Sequence, residues 1–437
     1  MRARITVARD ARPARRSRGL GTMNSKKITA VALTGATVVG LGALSSTPSV
    51  SAHFSSTAAA AERGSLVSAE HLRTLSADEV RTVLGKGGFD ASTVDNGVDA
   101  YRLTYRTIGT DGAATTATGL FVVPTGRRGR LTPVSYTHGT TSYKADAPST
   151  SDTPWAVGPA YTYAGSGFAA VVPDYLGLGK GPGAHPWKDV PSETSASLDM
   201  LRAARAFAPR TGHRLDRDVL ITGFSQGASS ALGLARALQD GADRHFRVRA
   251  VAPISGGYDF AGAELPALLN GELEAKTSAL YTAYLLTSWQ RVHGGVYRTP
   301  SEVFQAPYAD RVEKYFDGTT PGPVMFQGMP NRLTDLLTPR GWAMLRNPSG
   351  TFAAALRTDG EVCTAWTPRM PVRFYKAETD EQATTLNTDH CVASLRGRGV
   401  DSQVENLGRP LYQGSLHLGT NVAGTGKVVH WFSSLAA

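Results

Sequence analysis

Short apolar runs recur along the chain with room for a helix between them. Pro133–Tyr136, Phe168–Val172, Val219–Ile221, Val248–Ala252 and Pro371–Tyr375 are such runs, and Ser402–Val404 reads as a further short strand. Brief apolar stretches bounded by turn signals are the pattern of strands buried on both faces. Ser192–Phe207 places Met200, Leu201, Ala204 and Phe207 on one face and predicts an amphipathic helix. The Ala- and Leu-rich segment after Gly227 predicts another. Residues 99–108 and 117–124 are partly alternating and β-branched, with Gly112 between them, and predict an antiparallel hairpin. Ser76-Ala-Asp-Glu79 is a capping box that opens a short helix. Strands alternating with helices imply an α/β class: a mostly parallel sheet with helices on both faces, and antiparallel strands at one edge.

The alternation breaks between the strands at 248–252 and 371–375. Leu280–Trp289 is apolar nearly all round, and Val303–Phe316 and Leu333–Met344 look like further helices separated by Pro/Gly turns. This predicts a helical cap over residues 261–365, inserted into a sheet domain made of residues 67–260 and 366–437. Leu280, Tyr281, Tyr284, Leu285 and Trp289 carry more apolar area than one helix face needs, so some of them are expected to line an acyl pocket, Trp289, Tyr284 and Leu285 foremost.

Residues 1–52 read as a targeting leader. Met23-Asn-Ser-Lys-Lys opens a basic region and is a plausible true start, Ile28–Leu44 is apolar, and Val50-Ser51-Ala52 is a small-residue cleavage site. Cleavage after Ala52 would release a secreted protein whose residues 53–66 form a flexible start. Arg15-Arg16 lies far from the apolar run, which argues against a twin-arginine route. The formal charge of +10 belongs mostly to this leader, where nine Arg and Lys face one acid, a net of +8 that leaves +2 for the rest. With no basic stripe in the remainder, nucleic acid is not an expected partner. The chain has only two cysteines, Cys363 and Cys391. In an exported protein they are expected to form a disulfide that staples the cap exit to the sheet domain.

The candidate chemistry centres on Gly223-Phe224-Ser225-Gln226-Gly227. Gly-x-Ser-x-Gly alone is a weak signal. Between a buried strand and a helix it is the context of a nucleophile elbow, with small residues where strand and helix cross and a helix N-terminus behind the serine.

With His138-Gly139 upstream and a late Asp and His downstream, the chain resembles the α/β-hydrolase superfamily over about residues 95–435. Within it the chain is most similar to the secretory lipases, on the Val171-Val-Pro-Asp-Tyr-Leu-Gly-Leu-Gly179 run, the helical insertion and the leader. The resemblance implies a carboxylic ester hydrolase with no metal and no organic cofactor. It also implies the order serine, acid, histidine. The acid is then Asp380, past the strand at 371–375, with Glu378, Glu381 and Asp389 as neighbours to exclude. The base is His417, in the glycine-bounded loop Gly414–Gly419, ahead of His390 and His430. The oxyanion donors are the backbone N–H of Gln226 and one from the His138-Gly139-Thr140 loop, either Gly139 or Thr140. Secretory lipases can carry an acid in that loop, and this chain does not. His138 itself precedes the serine and belongs to the oxyanion loop, while Asp174 is expected to shape its own loop.

A small-molecule or lipid ester is the expected substrate, with transient contact to a lipid interface and no obligate protein partner. A serine peptidase of the same fold is the alternative. It needs an acidic anchor for a substrate amine, and Glu272, Glu274, Glu302 and Glu313 are the cap's candidates. A third reading is an adhesion protein that has lost catalysis, which usually costs a triad member.

Overall fold

The computed structural model describes residues 62–436. The leader, its cleavage site and most of the stretch expected to be flexible lie outside the described residues.

The sheet is built from strands β1 (Leu66–Leu75), β2 (Val98–Ile108), β3 (Ala114–Pro124), β4 (Pro133–Thr137), β5 (Ala169–Pro173), β6 (Asp218–Phe224), β7 (Arg247–Ile254), β8 (Arg373–Lys376) and β9 (Gln403–Asn406). Their spatial order is β1-β2-β3-β5-β4-β6-β7-β8-β9. The β1/β2, β2/β3 and β3/β5 pairs are antiparallel, and every pair from β5/β4 onward is parallel. The chain passes from β4 to β5 on one side and then to β6 on the other. That reversal leaves a crevice beyond the strand ends, where open α/β sheets place ligands.

Two helical layers cover the sheet. One contains α1 (Ala77–Lys86), α2 (Pro154–Gly165) and the C-terminal helix α9 (Leu416–Ala436). The other contains α3 (Val190–Phe207), α4 (Gln226–Gln239) and α8 (Leu386–Arg396). The capping box at Ser76 forms as the sequence predicts, with Ser76 Oγ accepting from the Glu79 N–H and Glu79 accepting from the Ser76 N–H.

Strand β1 has no counterpart in the apolar pattern. It is an edge strand with most side chains in partial contact with water, so burial imposes no alternation on it. Residues just before it are tied down as well, Gly64 N–H donating to Arg106 O at 2.8 Å.

Between β7 and β8 the chain forms a separate apolar core around α5 (Ala275–His293), α6 (Pro339–Arg346) and α7 (Gly350–Thr364). Two expected helices break up here. Val303–Phe316 is only a short helix at Val312–Tyr315 preceded by isolated turns, because Pro307 has no N–H to donate and restricts the residue before it. Leu333–Met344 divides at Thr338-Pro339, where Thr338 caps α6 by accepting from the Gly341 N–H. Cys363 on α7 and Cys391 on α8 form the disulfide, with Cα atoms 5.0 Å apart. It closes a separation of 28 residues, worth about 3–4 kcal/mol on the chain-entropy model.

Candidate active site

Ser225 ends β6 and starts α4 with φ 55° and ψ −120°. This is a strained conformation for a residue with a side chain, and one that concentrates at functional sites. Its neighbours must be glycines. A Cβ on Gly223 would lie 2.2 Å from Gly227 O, and one on Gly227 would lie 2.0 Å from Thr137 O. Thr137 Oγ1 donates to Gly227 O at 2.7 Å and locks the elbow onto β4.

His417 Nε2 lies 2.9 Å from Ser225 Oγ, and His417 Nδ1 lies 2.8 Å from Asp380 Oδ2. The other oxygen of Asp380 accepts the N–H groups of Gln382 and Ala383, each at 2.9 Å, which fixes the carboxylate's orientation. The His417 and Asp380 side chains are 2% and 1% exposed. Burial alone pushes the His417 imidazole down. The Asp380 carboxylate, its hydrogen bond, and the carboxyls of Glu381 and Glu264 outweigh that, and the net shift is upward.

His417 is not in a loop. It is the second residue of α9, which begins well before the Lys427 expected from the sequence. Gly419, Gly424 and Gly426 read as helix-breaking, yet two of them are there for close packing. A Cβ on Gly419 would meet Pro410 O at 2.2 Å, and one on Gly424 would press on Ile254. Glu381 caps the helix by accepting the N–H groups of Leu416 at 3.2 Å and His417 at 3.3 Å, together with the Ser415 hydroxyl.

The rejected neighbours are elsewhere. Glu378 is exposed, and Asp389 pairs with Lys376. His390 pairs with Asp259 and His430 with Asp90, both near the surface. Asp174 is buried and accepts from the Ser149 N–H, the Ser149 hydroxyl and Thr118 Oγ1, so it braces its loop. His138 packs on Tyr175 with ring centres 4.5 Å apart, and burial lowers its pKa.

Gln226 is the first residue of α4, so its N–H has no partner within the helix. Gly139 and Thr140 line a cavity together with Ser225 and His417. The Gln226 side chain serves a different purpose that the sequence does not signal. Its Nε2 donates to His185 Nε2 at 2.8 Å and to Glu193 Oε1 at 2.7 Å. His185 in turn has Nδ1 2.9 Å from Leu176 O, which makes Nδ1 the protonated nitrogen. Burial pushes His185 down to about 3 and Glu193 up to about 7. This buried network anchors the residue that follows the elbow serine.

A second cavity opens on the cap side of Ser225, with walls from Trp187, Phe260, Leu268, Leu273 and Tyr281. Of the cap residues expected there Tyr281 lines it, whereas Trp289, Tyr284 and Leu285 do not. They pack the cap core, each about 1% exposed. Trp187, from the loop before α3, stacks on Tyr284 at 4.7 Å and takes the place facing the cavity. Trp289 lies farther along α5 against Phe352 and donates from Nε1 to Lys188 O at 3.3 Å. An aromatic in a glycine- and proline-bounded loop (Gly183-Ala-His-Pro-Trp187) was the available signal for Trp187.

No family model matches the chain, and no curated protein does. Among solved structures it is similar to the rice cell wall degrading esterase LipA from Xanthomonas oryzae. A ligand-bound form of that esterase is 26% identical, with 86% of this chain and 98% of that chain covered and a TM-score of 0.72. Another crystal structure of it gives 25% identity, the same coverage and a TM-score of 0.73. Candida antarctica lipase A shares the fold at 14% identity and a TM-score of 0.58, over 80% of this chain and 78% of that one. The sheet order, the elbow and these neighbours define the class as an α/β-hydrolase. Within that class, the solved structures that the chain resembles include an esterase and a lipase.

Proposed function

We propose that the protein is a secreted serine hydrolase of carboxylic esters that works through an acyl-enzyme on Ser225. The observation that carries this reading is the contact chain Ser225–His417–Asp380, at 2.9 and 2.8 Å, on a strained elbow between two cavities. A serine hydroxyl is a poor nucleophile at neutral pH and needs an adjacent base. His417 Nε2 takes the Ser225 proton as Oγ attacks the ester carbonyl, and Asp380 holds the ring with Nδ1 protonated. The N–H groups of Gln226 and of Gly139 or Thr140 receive the oxyanion. His417 then gives its proton to the leaving alcohol. A water activated by the same imidazole releases the acid. The cavity under Trp187 and Phe260 takes the acyl chain, and the one beside His417 takes the alcohol. The disulfide fits an exported protein, since such bonds persist in oxidising compartments.

A panel of esters from acetate to oleate, run beside aminoacyl anilides on the mature protein, tests the reading. Ester turnover abolished in Ser225→Ala supports it, and turnover of anilides alone favours the peptidase. The carboxyl that lines the cavity at Ser225 is Glu264, and none of Glu272, Glu274, Glu302 and Glu313 does. Glu274 caps α5, Glu302 pairs with Arg298, and Glu272 and Glu313 are exposed.

A further inference from the structure

The cap-side cavity contains one carboxyl that the ester-hydrolase chemistry above does not use. Glu264, in the turn between β7 and α5, lines that cavity with Ser225 and is 6% exposed. Only one of its oxygens is engaged. Oε2 accepts from Asn387 Nδ2 at 2.6 Å and from the Thr384 N–H at 3.0 Å, and Oε1 has no protein donor among the described residues. The Asn387 and Thr384 contacts hold the carboxyl rigidly against the loop that carries Asp380.

The cavity offers Glu264 little to pair with. Its walls at Phe260, Leu268 and Trp187 are apolar. The Lys188 ammonium is spent on Asp359 at 2.8 Å and Gly257 O at 2.8 Å. The Gln382 amide is spent on Tyr281 and Ser415. Glu264 Oε1, left without a protein donor beside these apolar walls, is an acceptor that water or a ligand completes.

We propose that Glu264 is a specificity residue that selects acyl groups carrying a hydrogen-bond donor, an ammonium or a hydroxyl, along the chain away from the ester carbonyl. The inference rests on the ester-hydrolase reading and narrows its substrate class. A site built around an unpaired acceptor disfavours analogues that lack the donor, because binding them leaves the acceptor unpaired and dry. Two sources of donor behave differently as Glu264 titrates. Burial pushes its carboxyl up to about 7, with Asp380 adding to the rise and Asn387, the Thr384 N–H and His417 opposing it. The ionised form attracts an ammonium, while both forms pair with a hydroxyl. The charged or titratable groups facing this side of the cavity are Asp380, His417, Lys188 and Tyr281.

The test uses the full mature enzyme and methyl esters of unbranched acids in three matched series: unsubstituted, ω-hydroxy and ω-amino, over a range of chain lengths. The readout is the ratio of kcat/KM for a substituted ester to that for its unsubstituted match, which cancels the titration of His417. Wild-type enzyme is expected to favour at least one donor series by about tenfold at some chain length. Glu264→Leu is expected to abolish that preference. Glu264→Gln keeps an oxygen for Asn387 and Thr384, and is expected to keep a hydroxyl preference but lose an ammonium one. An ammonium preference also falls as pH drops from about 8 to about 6. If wild-type enzyme hydrolyses all three series with ratios near one at every length, or if Glu264→Leu keeps the wild-type ratios, the inference is overturned while the hydrolase reading stands. If no ester in any series is turned over, the hydrolase reading falls and takes this inference with it.

Discussion

In two histidine–aspartate pairs, His417–Asp380 and His390–Asp259, Nδ1 lies 2.8 Å from a carboxylate oxygen. His417 and Asp380 are 2% and 1% exposed, and the far nitrogen of His417 reaches Ser225. His390 and Asp259 are 45% and 32% exposed, and His390 has no serine at its far nitrogen among the described contacts. The pair distance alone therefore distinguishes nothing. Burial of one pair strengthens its electrostatics and restricts its rotamers, while water screens the other. The first aims a buried imidazole at the Ser225 hydroxyl, and the second is a surface contact worth little.

The largest effect that sharpens this contrast is on turnover. His417→Ala is expected to lower kcat by roughly 10⁴–10⁶-fold, and His390→Ala to leave it within about twofold. Steady-state ester hydrolysis on folded variants measures both, and the reverse ranking would transfer the base to the surface pair. Asp380→Asn removes the group that fixes the His417 tautomer and is expected to cost somewhat less, about 10³–10⁴-fold. Asp259→Asn, the matching change in the exposed pair, is expected to be near wild type.

The ease of reading these residues from the sequence follows how local their constraints are. The elbow is written in five consecutive residues, and the steric need for Gly223 and Gly227 is visible as small residues around Ser225. Asp380 was placed by the resemblance, which implies an acid past this strand, and the structure puts it in contact with His417. His417 itself was assigned to the wrong element. Helix propensity treats Gly419 and Gly424 as breakers, whereas here they let α9 approach Pro410 and Ile254 closely enough to pack. Nothing local marks Glu381 as the cap of that helix, since the two are joined only by the fold. The cap was the least readable region. Its core aromatics look alike in sequence, and only the insertion of Trp187 decides which of them faces Ser225.

That distinction gives a third, smaller effect. Trp289→Ala is expected to lower stability by about 3–5 kcal/mol with little change in acyl-length preference. Phe260→Ala is expected to change the preference with a smaller loss of stability. Thermal unfolding beside an ester panel separates the two, and a selective loss of long-chain activity in Trp289→Ala would return that residue to the cavity.

The smallest effect is on pH dependence. His417 must be neutral to accept the Ser225 proton, and its pKa is held above the ordinary imidazole value, chiefly by Asp380 once burial is overcome. The rising limb of kcat/KM therefore lies above about pH 6.5, and it moves to lower pH in Asp380→Asn as the attraction is lost. Asp259→Asn is expected to leave the limb in place, because the exposed pair makes no contact with Ser225 among the described residues.

The most direct measurement is covalent labelling of the mature protein with a fluorophosphonate, read by intact mass and peptide mapping. One phosphonyl group is expected, on the peptide that contains Ser225, with labelling strongly slowed in His417→Ala, unchanged in His390→Ala and absent in Ser225→Ala. A label on any other serine, or undiminished single labelling of Ser225→Ala, would contradict the assignment of the nucleophile.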